Sequence, residues 1–110
     1  MIFSATYTIR NADGMSFAVF DGMGGAAYGE VASEIAVQKL RKYEKKLKYA
    51  DGTRMLDQLV SSFTTEANDA ICDMLAEKHC TTGGTTFSML YFLRDSIKLY
   101  SLVTDRSLSL

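Results

Sequence analysis

Hydrophobic positions change their period along the chain, and each change predicts an element. From Ile2 to Arg10, β-branched and aromatic residues alternate loosely with polar ones, "NADG" at Asn11–Gly14 supplies turn chemistry, and Met15–Phe20 is largely apolar. This predicts a hairpin, Ile2–Ile9 paired with Ser16–Phe20. From Glu30 the period lengthens: Val31, Ile35, Ala36, Leu40, Tyr43 and Leu47 fall on one face of a helix that stops near "ADG", Ala50–Gly52, where glycine accepts a left-handed cap. A second helix carries Leu56, Leu59, Val60, Phe63, Ala67, Ala70, Ile71, Met74 and Leu75 at three- and four-residue spacing and ends before "TTGGTT" at Thr81–Thr86. Phe87–Leu93 and Ile97–Val103 return to strand character on either side of "RDS". The order ββααββ with antiparallel neighbours predicts an α+β fold, both helices packed on one face of an antiparallel sheet.

A chain of 110 residues, 47% hydrophobic, is one domain with enough apolar side chains for a core. The absence of proline removes the usual linker marker, so residues 1–110 are taken as a single unit. A net charge of -1 excludes an overall field for nucleic acid or an anionic membrane. Lys39, Arg41, Lys42, Lys45, Lys46 and Lys48 nevertheless crowd the end of the first helix, where cations complement the helix dipole; they form either a solvated face or a partner surface. Cys72 and Cys80 lie eight residues apart with a lone His79 beside the second, a spacing that builds no zinc site and suits reduced structural thiols. No apolar run reaches 18 residues, and "MIFSATYTIR" lacks the layout of a signal peptide, so a cytoplasmic protein is expected.

The chemistry concentrates where a strand runs into "DGMGGAAYGE", Asp21–Glu30. "GMGGAA" fits the G-x-G-x-x-A loop that cradles a dinucleotide pyrophosphate at a helix N-terminus. Two features oppose that use. Asp21 would set a carboxylate beside the pyrophosphate, and a basic amphipathic helix occupies Val31–Lys48, where a second parallel strand should end in an acidic residue. A carboxylate followed by a main-chain carbonyl is, by contrast, an oxygen pair that Mg²⁺ or Mn²⁺ takes, provided further acids converge on it. The plainer alternative is that Asp21 caps the next turn and the glycines only permit close packing.

"FAVFDGMGGAAYGEVAS", Phe17–Ser33, closely resembles the signature of the metal-dependent type 2C (PPM) serine/threonine protein phosphatases, whose bacterial members carry V-x-DGMGG, a short gap and GE-x-AS. Val19, Asp21–Gly25, Gly29-Glu30 and Ala32-Ser33 hold those positions. Gly84-Thr85-Thr86 is similar to the family's G-T-T, and "VTDRS", Val103–Ser107, stands where the family has V-G-D-S-R. The resemblance implies a four-layer αββα sandwich with a pair of Mg²⁺ or Mn²⁺ ions, whose activated water hydrolyses phosphoserine or phosphothreonine in a phosphoprotein substrate. It implies that Asp21 bridges the two metals as the catalytic carboxylate, that Gly22 offers its carbonyl, and that Asp105 lies near an additional metal. Met23 stands where some members carry a histidine, as in the histidine-free bacterial type.

The chain also departs from the family pattern. An R-x-x-N-[EQ]-D segment that precedes DGMGG by about one hairpin would fall at or before Met1; "RNAD", Arg10–Asp13, is similar but sits in the expected turn. The family's later Asp-Gly and Asp-Asn would lie past Leu110, and Asp51-Gly52 is a helix stop rather than a substitute. "TDRS" replaces a glycine by Thr104 and transposes serine and arginine. The expectation is therefore a partial phosphatase-like domain with an apolar sheet face left uncovered, prone to forming a homodimer through it. An interaction module deficient in catalysis is the alternative to an enzyme.

Overall fold

The computed structural model describes residues 4–11, 14–23, 26–50, 52–79, 84–92 and 97–105. The order is β1 (Ser4–Asn11), β2 (Gly14–Met23), α1 (Ala26–Lys48), α2 (Thr53–Glu77), β3 (Gly84–Phe92) and β4 (Ile97–Asp105). The strands form one antiparallel sheet in chain order, β1-β2-β3-β4, and both helices cover the same face, as the ββααββ pattern predicts. Thr8 pairs with Phe17, Phe17 with Leu90, and Leu90 with Leu99, so one row crosses the whole sheet. The turn residues of the hairpin, 12–13, and the "RDS" turn, within 93–96, lie outside the described residues.

The pleat sorts the sheet into two faces. Ser16, Ala18, Phe20 and Gly22 of β2 and Thr85, Phe87, Met89 and Tyr91 of β3 are buried under the helices. Leu56, Val60, Phe63, Ala67, Ile71 and Leu75 of α2 meet them. Phe63 stands edge-on to Phe87, with ring centroids 5.2 Å apart, and Phe20 packs at the same distance on Phe87. The polar groups in this layer are matched: Ser16 Oγ accepts from the Phe92 amide at 3.2 Å, and the Tyr91 hydroxyl donates to the Leu47 carbonyl near the end of α1.

On the opposite face no described element covers the sheet. Leu99 is 70% exposed, Ile97 58% and Phe17 45%, and Val19 is exposed beside them. Among the described residues, the apolar face expected from the sequence is thus exposed.

Three sequence expectations need correction. Ala36, Leu40 and Leu47 of α1 are buried as expected, but the first turns bury Gly29, Ala32 and Ser33 and leave Val31 exposed, because they press so closely on β2 that only small side chains fit between them. Helix α1 also begins at Ala26, four residues before Glu30. Gly84-Thr85-Thr86 does not precede β3 but forms its first residues.

The basic stretch of α1 is largely solvated. Lys42 pairs with Glu66 of α2 at 3.1 Å, Arg41 lies over the Tyr7 ring, and Lys46 and Lys48 lie over Tyr43 and Tyr49. Cys72 is a free, half-buried thiol on α2; Cys80 lies outside the described residues. No helix among the described residues is long and apolar enough to cross a membrane.

Candidate metal centre

Strand β2 ends in Asp21-Gly22-Met23, and its register brings the three motif segments to one end of the sheet. Ser4, Asp21, Thr86 and Val103 form one row, Gly22, Thr85 and Thr104 the next, and Met23, Gly84 and Asp105 the last. Segments more than sixty residues apart in sequence are therefore neighbours in space. By the period of the pleat, positions 21 and 105 lie on the same, uncovered face of the sheet. Asp21 is half-buried there, and Gly22 is buried under α1.

Gly22 is required for steric reasons. A Cβ at this position would stand 2.1 Å from the carbonyl oxygen of Gly29, 2.4 Å from its carbonyl carbon and 2.8 Å from its Cα. The Gly-Glu of the helical motif thus supplies, in Gly29, a backbone surface on which the Asp-Gly peptide rests. From the other side, the Thr85 hydroxyl donates to the Asp21 carbonyl at 3.0 Å, shared with the Thr86 carbonyl at 3.0 Å, and the Thr86 hydroxyl approaches the Asp21 carbonyl at 3.5 Å. Ser33 Oγ of α1 lies 3.1 Å from Thr85 Oγ1, both side chains fully buried. Ser33, Gly29 and Thr85 were matched to motifs in the sequence but had no role there; a buried hydroxyl in a helix stripe of small residues was the available clue.

Other sequence candidates fall elsewhere. Asn11 pairs with Gly14 while Ser4 pairs with Asp21, so Arg10 and Asn11 of "RNAD" sit at the opposite end of the hairpin. Seven residues at about 3.4 Å each place Asn11 roughly 24 Å from Asp21. Asp13 and Asp51 lie outside the described residues.

Oxygen donors are the kind that Mg²⁺ or Mn²⁺ takes, and the Asp21 carboxylate with the Gly22 carbonyl, on a backbone clamped from both sides, fits in kind. In number the set is partial: among the described residues no three His, Cys, Asp or Glu side chains converge.

An antiparallel sheet thus carries two helices on one face, with DG, GTT and VTD converging at one end. Solved structures share this fold. The chain is similar to the Mycobacterium tuberculosis serine/threonine phosphatase PstP/Ppp, at 26% identity and a TM-score of 0.59, over 92% of this chain and 46% of that one. It is equally similar to the catalytic domain of PstP in complex with two manganese ions, at 26% identity and a TM-score of 0.60, over 92% of this chain and 47% of that one. The structural neighbours are thus PPM-type serine/threonine phosphatase catalytic domains, and the chain spans about half their length. No protein-family model and no curated protein sequence matches it.

Proposed function

We propose that the chain carries part of the active site of a metal-dependent protein serine/threonine phosphatase, with Asp21 and the Gly22 carbonyl as divalent-cation ligands and Asp105 on the same face nearby. The observation that carries this reading is the convergence of Asp21, Gly84-Thr85-Thr86 and Asp105 on one sheet end, with the Asp-Gly backbone held by Gly29 and Thr85. When bound, Mg²⁺ or Mn²⁺ ions neutralise phosphoryl charge and lower the pKa of a coordinated water, which is the chemistry phosphate-ester hydrolysis needs. This chain's residues present the ligands: Gly22 lets the backbone approach without a side chain, and Asp21 supplies the charge. The substrate proposed is a phosphoserine or phosphothreonine protein. One carboxylate and one carbonyl hold such a cation weakly, so hydrolysis by the 110-residue chain is expected to be slow.

The test is calorimetry with Mn²⁺ on the wild type and Asp21→Asn, alongside p-nitrophenyl phosphate hydrolysis. Weak binding that disappears in Asp21→Asn supports the reading; equal affinity in both proteins refutes it. The uncovered apolar face favours a second reading, a phosphatase-like interaction module. A chain that neither binds Mn²⁺ nor turns over substrate, yet self-associates, would fit that reading better.

A further inference from the structure

We infer that Ser33 and Thr85 form a hydroxyl relay that fixes the direction of the Asp21–Gly22 peptide and so presets the cation ligands, an inference that rests on the metal site proposed above. A carbonyl oxygen only accepts hydrogen bonds, so the single Thr85 proton goes to the carbonyls of Asp21 and Thr86, each 3.0 Å away. Thr85 Oγ1 then receives the Ser33 proton across 3.1 Å. Ser33 is 0% exposed and Thr85 1% exposed, so water has no access to replace either partner. With Ser33 donating, the Thr85 oxygen is held in place and its own O–H is polarised, which keeps the Thr85 proton on the two carbonyls and strengthens its bond to the Asp21 carbonyl. The carbonyl of Asp21 and the amide of Gly22 belong to one rigid peptide plane, so holding the carbonyl fixes the two Cα positions from which the Asp21 side chain and the Gly22 carbonyl project.

Ser33 and Thr85 touch no candidate ligand atom of a cation, so they are positioning residues. They also staple α1 to β3, and a purely structural staple would lower stability when cut without altering the site of the molecules that remain folded. The relay predicts more. Groups that orient metal ligands typically change metal affinity about 10–100-fold when removed. Thr85→Val, which keeps the shape and deletes the hydroxyl, should therefore weaken Mn²⁺ binding at least about tenfold, with Thr85→Ser close to wild type. Ser33→Ala should weaken binding in the same direction, acting only through Thr85.

The experiment combines Mn²⁺ calorimetry with NMR of the metal-free proteins, following the Asp21 carbonyl ¹³C and the Gly22 amide ¹⁵N. Thr85→Val and Ser33→Ala should both shift these nuclei, and Thr85→Ser should leave them nearly in place. If Ser33→Ala moves neither nucleus, or if all variants bind Mn²⁺ like the wild type while only the melting temperature falls, the relay is overturned. If Thr85→Val does not fold, Ser33→Ala and Thr85→Ser carry the test. Unaltered Mn²⁺ affinity in Asp21→Asn overturns the metal reading itself, and the relay's purpose with it, whereas the NMR arm separately decides whether the relay exists.

Discussion

Gly22→Ala should be among the most damaging single-methyl additions this chain can receive. The new Cβ would sit 2.1 Å from the Gly29 carbonyl oxygen, against 3.4 Å for an ordinary contact, so the two backbones must part by more than an ångström. All three nearest atoms belong to backbone, and α1 cannot rotate a main chain aside as it could a flexible side chain. The shift would propagate along the buried stripe of Ala32, Ser33 and Ala36 on the same helix and would stretch the bond between Ser33 and Thr85. Overpacking typically costs about 1–3 kcal/mol, and a backbone-on-backbone clash belongs at the upper end. At about 4 °C or more per kcal/mol for a domain of this size, Gly22→Ala should melt roughly 10–15 °C below the wild type.

Circular dichroism melts and urea titrations measure this directly. Val31→Ala is the matched control: it deletes methyl groups from a residue of the same helix that is 38% exposed, so it should change stability by no more than about 0.5 kcal/mol. A Gly22→Ala midpoint within about 3 °C of the wild type would refute the close approach of α1 to β2. A large loss in Val31→Ala would instead restore the helix face expected from hydrophobicity alone.

Further outcomes follow from the surface. The Asp57 carboxyl is held below its ordinary range chiefly by the Tyr100 hydroxyl, with Lys98 adding to it, and Glu66 is lowered chiefly by the Tyr43 hydroxyl and then by Lys42. Groups with depressed folded pKa values stabilise fully above the ordinary carboxylate range and lose that contribution as pH falls through the folded value. The urea midpoint should therefore hold from pH 7 to about 5 and decline below about pH 4, less steeply in Tyr43→Phe/Tyr100→Phe; an identical acid slope in that variant would contradict the pairing. On the uncovered face, four strands about 4.8 Å apart and nine residues at about 3.4 Å each give roughly 600 Å² per chain, near the lower range of a stable interface. The wild type should consequently elute above monomer mass in light-scattering chromatography, Leu99→Lys should shift it to monomer, and a monomeric wild type would remove the dimer expectation.

Element type and order were legible because each element carries a clean period. Helix α2 is the clearest case: Leu56, Val60, Phe63, Ala67, Ile71 and Leu75 were expected inward and are buried there. Helix α1 was harder, since hydrophobicity ranks Val31 above Gly29, Ala32 and Ser33, yet the contact is so short that volume decides over apolarity. The DG and GTT motifs were visible as strings, but their meeting depends on the register of β2 against β3, which local sequence does not state. Ser33 could not be given a role from sequence, because its partner is fifty-two residues away.

The sheet's two faces impose different demands on the chain, and they meet at Asp21. The helix-side layer is closed by its own residues, with Phe20, Phe63 and Phe87 in mutual contact, so it can hold the Asp-Gly backbone without help. The opposite face carries Phe17 and Val19 on the same strand and the same side of the pleat as Asp21. Whatever covers those apolar side chains therefore also comes to lie over the row that holds Asp21 and, two residues on, the row of Asp105. Covering the face and completing the cation site are then coupled equilibria: a cover that brings further oxygen donors should tighten Mn²⁺ binding, and Mn²⁺ should tighten the cover by the same factor. That reciprocity separates the phosphatase reading from the interaction-module reading. Under the first, Mn²⁺ promotes association and Leu99→Lys weakens Mn²⁺ binding. Under the second, the two are independent, because an apolar face needs no metal to be buried.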